Sequence, residues 1–476
     1  MQVVVVGGGV GGLGAALAFA RQGHAVTVVE QDEWPAIDDP EAAFAAERRG
    51  APQVHQTHGF LARIAVVLRD RFPDVLDALR VAGCTTMPVT VNLGEPRPGD
   101  DDLRVLIVRR TTFEWILRRA VLAEPGIEVR TGARVLGVRT RDAAPPVVDG
   151  VQLDDGSVID ADLVVAATGR RGDIPGWLAP SGVEIAEIVH ESGLMYLSRW
   201  YRLPDGAGLT LDPKLGGDLG FVKYLGVPGD AGTLSVTLAI RRDDSKLRAA
   251  LLDSDRFDDA CRALPGPDQF FTHDLQPIGG VRPMGGLLNR LRRFVDADGT
   301  PNVLGFHAVG DAHTCTNPLY GRGCSLALVQ AVLLADAVAA HPGDLAAITS
   351  TYESACAREV EPWFHVSVQM DRLGADPAGL VPVAGSTSER TASPAADIGA
   401  LFVAAATDPI IGRAMARFWN LLATPAELMA DAELLGRIAE VMANPDAYPL
   451  PPREGPTRAE LLARLGAAAS DLMETA

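Results

Sequence analysis

The sequence predicts an α/β chain built on a parallel sheet, with an inserted antiparallel sheet and a helical C-terminal region. Three observations predict it. The chain opens on an apolar strand, Val3-Val4-Val5-Val6, that runs straight into the turn Gly7-Gly8-Gly9-Val10-Gly11-Gly12. Two more apolar runs, 161–167 and 303–309, are of the kind buried on both faces in a parallel sheet. Between them, residues 175–295 alternate apolar with polar positions and are punctuated by Pro and Gly pairs, the pattern of half-buried antiparallel strands.

The glycines of the first turn have separate tasks. Gly7 permits the tight strand-to-helix turn, Gly9 lets backbone approach a pyrophosphate, and Gly12 lets the helix pack close to the strand, with Gly11 in the same turn. The helix that follows, 13–21, carries the small residues Gly14, Ala15, Ala16 and Ala18, and Gly23 ends it. Its N-terminus offers unpaired N–H groups to phosphates. A second strand, 25–29, delivers Glu30 where an acid can accept hydrogen bonds from a ribose, about 20 residues beyond the glycines. Together these form a Rossmann-like dinucleotide unit.

Further along, residues 31–47 are acidic and irregular, and Arg48-Arg49-Gly50-Ala51-Pro52-Gln53 leads to His58. Helical periodicity runs over 61–79, and a strand over 103–108 meets Arg109-Arg110 and a helix through Leu117. Strand-like runs cover 128–138 and 151–159, and the buried run 161–167 ends in Thr168-Gly169-Arg170. In the middle region, strands are expected over 193–203, 219–226 and 233–240. The run 303–309 returns to the parallel sheet, and 325–340 is an alanine- and leucine-rich helix. From Asp344 the chain reads as helices, interrupted by a Gly/Ser/Pro-rich loop around 384–394. The expected organisation is 1–174 and 296–342 for the nucleotide fold, 175–295 for the substrate sheet, and 343–476 for the helical region.

Composition narrows the function. The 476 residues exceed what one core usually serves. A net charge of −18 argues against nucleic-acid binding, which needs a basic face. Three lysines (Lys214, Lys223, Lys246) against forty arginines suggest a GC-rich bacterial gene. Cys84, Cys261, Cys315, Cys324 and Cys356 are scattered without metal-ligand spacing, so neither a zinc site nor a disulfide framework is expected, and a cytoplasmic location fits. The chain opens on a core strand, leaving no room for a signal peptide, and no uninterrupted apolar run is expected to span a bilayer.

The second chemistry-bearing segment narrows the dinucleotide to FAD. A strand delivers Gly310-Asp311, whose carboxylate can accept a hydrogen bond from the ribityl chain; a helix-capping aspartate is the plainer reading. Pro318 and the pair Gly321 and Gly323 then open the helix, so its N–H groups can face the flavin N1–C2=O region, where negative charge collects on reduction.

With both segments in place, the chain resembles the flavoprotein monooxygenases of the para-hydroxybenzoate-hydroxylase superfamily, and most of all a branch of polyketide epoxidases and hydroxylases related to flavin halogenases. The likeness covers about residues 1–340. Arg48-x-Gly50 resembles the family arginine at the pyrophosphate and flavin edge, and Pro52-Gln53 with His58 resembles that branch's Pro-Gln…His signature. Arg110-x-x-Phe113-x-x-x-Leu117 resembles the arginine-led helix beside the FAD phosphates, and Gly193-x-Met195-Tyr196 with Arg199 resembles the first strand of the substrate sheet. The middle motif departs from the family's Asp-Gly pattern, reading Thr168-Gly169-Arg170-Arg171-Gly172-Asp173, which puts direct reduction by NADPH in question. The halogenase signature Trp-x-Trp-x-Ile-Pro is absent.

The resemblance implies insertion of one oxygen atom, by epoxidation or hydroxylation, through a flavin C4a-hydroperoxide, with dioxygen as co-substrate. Electrons would come from NADPH or NADH, or as reduced flavin from a separate reductase. The substrate implied is an apolar polyketide, terpenoid or aromatic intermediate of bacterial secondary metabolism. An FAD-dependent dehydrogenase or double-bond reductase on the same fold is the alternative, with a halogenase behind it. Such chemistry needs no side-chain nucleophile, so His58, Tyr196 and Arg199 are candidates to line the site rather than to react. By strand pleat Tyr196 and Arg199 point to opposite faces. Trp363, Trp419 and His313 read as packing or loop residues.

Overall fold

The structure is a computed structural model that describes residues 1–89, 93–204, 215–375, 394–449 and 454–467. Its central parallel sheet runs in the order Phe306–Ala308, Leu163–Ala166, Gln2–Val6, Ala25–Val29, Ile127–Arg130. The first strand sits inside, paired in parallel with Ala25–Val29 on one side and with Leu163–Ala166 on the other. That placement explains its unbroken valines, since both faces are covered. The helix Val10–Arg21 packs on the helix Gly323–Ala340, and a Cβ at Gly14 would fall 2.3 Å from Leu328 Cδ2, so the small residues of the first helix are a packing requirement. Gly323–Ala340 is itself long and apolar enough to cross a membrane, contrary to the sequence expectation; two thirds of it lies buried inside this core, which accounts for its composition.

The inserted region forms a five-stranded antiparallel sheet ordered Gly216–Asp218, Val222–Pro228, Thr233–Arg241, Leu194–Arg202, Gln276–Met284. Helices Ser245–Leu251 and Ser254–Ala263, which the alternating pattern did not announce, cover one face; Leu247, Leu251 and Phe257 join Leu197, Leu234 and Leu238 in one core. The other face turns toward the nucleotide fold. A second sheet joins Ala186–Glu191, Leu288–Arg293 and the two-residue strand Thr314–Cys315, and so links the insert directly to the segment after Asp311.

Several expectations change in detail, and the run 151–159 is shared between the strands Val147–Leu153 and Val158–Asp160 with a turn between them. The helix expected over 61–79 is two helices, Ala62–Arg71 and Pro73–Val81, because Pro73 cannot continue the first and instead opens the second. The run 128–138 divides into Ile127–Arg130 and Val135–Arg141, which belong to different sheets. The strand expected over 103–108 is Arg104–Ile107, paired antiparallel with Thr85–Pro88. The loop expected around 384–394 lies outside the described residues except for Pro394, the first residue of a helix, and Lys214 lies outside them as well.

Candidate functional site

A cavity of about 500 Å³ extends from the C-terminal ends of the parallel strands to the inserted sheet. Gly7, Gly9, Gly11 and Glu30 line one end, and Gly310, Asp311, Pro318, Gly321 and Gly323 another; Arg48, Gln53, His58, Arg110 and Tyr196 line it too. Of the expected site residues only Gly12 and Arg199 stand outside its wall. Gly12 has the packing role read for it: a Cβ there would lie 1.9 Å from the Gly7 carbonyl oxygen. Gly7 holds φ +110, with a would-be Cβ 2.5 Å from the Ala167 carbonyl oxygen, so no side chain is tolerated. Gly9 differs, because its missing Cβ would project into open space. A cradle of backbone left clear beside a helix N-terminus is what a diphosphate requires.

Charge in the cavity runs against that of the whole chain. Six arginines line it (Arg48, Arg49, Arg110, Arg134, Arg170, Arg171) against three acids (Glu30, Asp173, Asp311), in a protein of net charge −18. Glu30 is buried, its Oε2 accepting the Gly8 N–H at 2.7 Å and its Oε1 the Asp32 N–H at 2.9 Å. Arg48 donates to Glu30, Asp32 and Glu114 within 3.2 Å. Glu114 also accepts from Arg110, whose other nitrogen reaches Cys324 Sγ at 2.8 Å. Burial disfavours the Glu114 carboxylate, but Arg110 and Arg48 outweigh it and hold its pKa below the ordinary range. Glu114 thus holds two guanidinium groups at the cavity wall, a role no motif announced.

At the other end, burial raises the Asp311 pKa, opposed by Arg110, Arg170 and Arg290. Gly310 holds φ +62, and the 18-residue helix Gly323–Ala340 begins with no acid in its own first turn; the Asp311 carboxylate stands beside that N-terminus, where a Cβ on Gly323 would lie 3.7 Å from its Oδ1. His58 Nδ1 donates to the Gln56 carbonyl oxygen at 2.9 Å, which fixes the tautomer and leaves Nε2 free as an acceptor. Burial and the neighbouring Arg110 lower its pKa to about 4, so the imidazole is neutral at pH 7.

The face of the strand Leu194–Arg202 settles the remaining candidates. Tyr196, Ser198 and Trp200 point to the nucleotide side: Tyr196 Oη donates to Asn317 Oδ1 at 2.5 Å, Ser198 Oγ to Gln56 Oε1 at 2.7 Å, and Trp200 Nε1 to the His55 carbonyl at 2.8 Å. Arg199 points the other way, where it donates to Asp258 at 2.7 Å and to the Ser254 carbonyl at 2.8 Å. It is a structural residue of the sheet's far face, removed from the site by the pleat. Tyr224, on the neighbouring strand, belongs to the core on that face and is absent from the cavity wall. Besides Glu114, two groups of residues escaped sequence reasoning. Gln56, three residues beyond the Pro-Gln pair, bridges to Ser198 and donates to the Arg282 carbonyl. Arg290 and Arg292 donate to the carbonyls of Arg170 and Gly172 and so fix the divergent middle motif along the cavity wall.

Solved structures with the same architecture say what kind of fold this is. PqsL, a probable FAD-dependent monooxygenase from Pseudomonas aeruginosa, superposes with a TM-score of 0.60 at 18% identity over 79% of this chain and 97% of its own. The chain has the fold of that protein. That fold is shared with p-nitrophenol 4-monooxygenase PnpA from Pseudomonas putida DLL-E4 (TM-score 0.60, 19% identity, 88% of this chain and 98% of that one). The flavin-dependent brominase Bmp2 has it as well (TM-score 0.60, 14% identity, 94% and 100%). Residues 2–80 match the family model of FAD dependent oxidoreductases, and residues 105–192 that of pyridine nucleotide-disulphide oxidoreductases. No curated protein sequence matches the chain. The cavity of this chain brings together a glycine cradle, a buried acid and a helix N-terminus, the features that a dinucleotide site combines.

Proposed function

We propose that this protein is an FAD-dependent monooxygenase that inserts one oxygen atom, by epoxidation or hydroxylation, into an apolar small molecule. One observation carries the reading: a single cavity joins the dinucleotide cradle to a wall supplied by Tyr196 and Met284 of the inserted sheet and by Leu288. Bound FAD would supply electron storage and the activation of dioxygen. Gly9 and the N-terminus of Val10–Arg21 would hold the diphosphate with Arg48 and Arg110 beside it, and Asp311 would take the ribityl hydroxyls. The N–H groups at Gly321 and Gly323 would face the ring. Met284 and Leu288 exclude water from the far wall. Neutral His58, with its free Nε2, can accept a hydrogen bond from substrate or cofactor.

The side of the cavity formed by Tyr196, Met284 and Leu288 carries no formal charge and suits a π-rich substrate, and the branch resemblance favours a polyketide, terpenoid or aromatic intermediate made in the cytoplasm of a bacterium. The second reading, a halogenase, is favoured by the brominase match over 94% of this chain. The purified protein, supplied with NADPH, a flavin reductase, ¹⁸O₂, bromide and a panel of polyenes and phenols, distinguishes these. One ¹⁸O atom per product molecule supports the monooxygenase; brominated product supports the halogenase; unlabelled, dehydrogenated or reduced product supports a dehydrogenase or reductase. Anaerobic stopped-flow reduction by NADPH is expected to be slow without substrate, because the 168–173 motif is altered, and to accelerate with it; persistent slowness points to a partner reductase.

A further inference from the structure

A buried polar network joins the C-terminal helices to the turn that faces the cavity. Asp371, on the helix Glu361–Ala375, accepts from Asn317 Nδ2 at 2.8 Å and from Tyr320 Oη at 2.7 Å through Oδ1, and from Asn289 Nδ2 at 2.7 Å through Oδ2. Both asparagines are fully buried and each is oriented by a second bond. Asn289 Oδ1 accepts the Asn317 N–H at 2.8 Å, and Asn317 Oδ1 accepts from Tyr196 Oη and the Leu319 N–H. All three groups facing the carboxylate are therefore donors, and neither amide can flip without losing a partner. The turn they hold contains Pro318 and leads into Gly321 and Gly323 on the cavity wall, while Tyr196 lines the same cavity.

We infer that Asp371 is the positioning residue of the flavin seat: it fixes the 317–321 turn, and with it the backbone N–H groups and the Tyr196 ring that bound FAD would meet. This inference rests on the reading that the cavity holds FAD. It gives the C-terminal helices a function in cofactor binding, which no motif in that part of the chain suggests. Geometry explains the choice of residue. Three converging donors need an acceptor with no hydrogen of its own, and asparagine at 371 would set its NH₂ against that of Asn289.

The pattern of bonds supplies a self-checking experiment. Asp371→Asn creates a donor–donor contact and Asn289→Asp an acceptor–acceptor contact, whereas the double exchange restores every bond with the carboxylate moved to position 289. FAD titration of the apoprotein by fluorescence quenching, with visible circular dichroism of the bound flavin, reads the outcome. Each single variant is expected to bind FAD about tenfold more weakly with an altered flavin band, and the double variant to return to within about threefold of wild type. Tyr320→Phe, which removes one donor and leaves two, is the milder control and is expected to weaken binding by about threefold. Single variants with a lowered unfolding temperature but wild-type affinity and spectrum would reduce Asp371 to a stabilising residue and overturn the inference, as would failure of the double exchange to restore binding. A wild-type protein that binds no FAD overturns instead the reading beneath it, and that result is visible before any variant is made.

Discussion

Gly9 and Gly12 stand three residues apart in one turn and answer to different constraints, which single substitutions separate. A side chain at Gly12 would collide with the Gly7 carbonyl, whereas one at Gly9 enters open cavity. Gly12→Val is expected to compromise folding outright. Gly9→Val is expected to keep the wild-type unfolding temperature and lose the yellow chromophore; a yellow Gly9→Val protein would remove the diphosphate from this cradle. Asp311→Ala is expected to weaken FAD binding by about 1–3 kcal/mol, the usual cost of a lost charged hydrogen bond, and an unchanged dissociation constant would return Asp311 to a local structural role. These residues were legible in the sequence because backbone geometry leaves so few choices at a strand-to-helix turn. Gln56, Arg290, Arg292, Asp371 and the hub Glu114 were not, since each acts through a partner that only the fold brings near: Arg292 meets Gly172 across 120 residues, and Gln56 meets Arg282 across 226.

At the scale of elements, uninterrupted apolar runs and glycine turns located the strands of the parallel sheet, and alternation located the long strands of the insert. What sequence periodicity could not supply was which element packs on which, because a buried helix and a buried strand expose no polar face to mark their neighbours. The strand Phe306–Ala308 carries a consequence of such burial. His307 is wholly enclosed on it, stands edge-on to Tyr352, and has no hydrogen-bond partner at either ring nitrogen among the described residues. Burial lowers its pKa to about 4, so the unfolded chain binds a proton that the folded chain refuses between about pH 6.5 and 4. Its neutral state supports the fold fully above about pH 6.5, and that support is lost as the pH falls toward 4, with about 2 kcal/mol gone by pH 5. His307→Leu is expected to lose less stability than wild type between pH 7 and pH 5 in urea unfolding. Equal losses would show that His307 is protonated in the folded protein.

Over the whole molecule, the nucleotide fold and the inserted sheet are held together by a buried ion pair that no local pattern announced. Asp230, in the turn before the strand Thr233–Arg241, accepts from the backbone N–H of Arg109 at 2.6 Å, from its Nη2 at 2.9 Å and from Thr112 Oγ1 at 2.8 Å, and neither charged side chain is exposed. Arg109 and Thr112 belong to the start of the helix Arg110–Ala123, which also carries Arg110 of the cavity wall and Glu114 that anchors it, so the pair sets the inserted sheet against that end of the cavity. Replacing such a pair with apolar residues can be neutral, but removing one member leaves a charge buried alone. In Asp230→Ala, Arg109 would retain Glu41 at 2.8 Å and the face of Phe44 at 5.0 Å, although Glu41 is about half exposed and its attraction is weakened by solvent. The expected loss is therefore about 3 kcal/mol, the low end of the range for breaking a buried pair, read as a lower urea midpoint. Because the pair joins two parts of the chain, the slope of the transition is informative as well. A shallower slope, or separate transitions by tryptophan fluorescence and circular dichroism, is expected if the sheet comes away before the nucleotide fold melts. A loss below about 1 kcal/mol with unchanged slope would mean that Glu41 and Phe44 satisfy Arg109 by themselves, and that the contacts of Gln56 and Trp200 with the facing segment hold the two parts together.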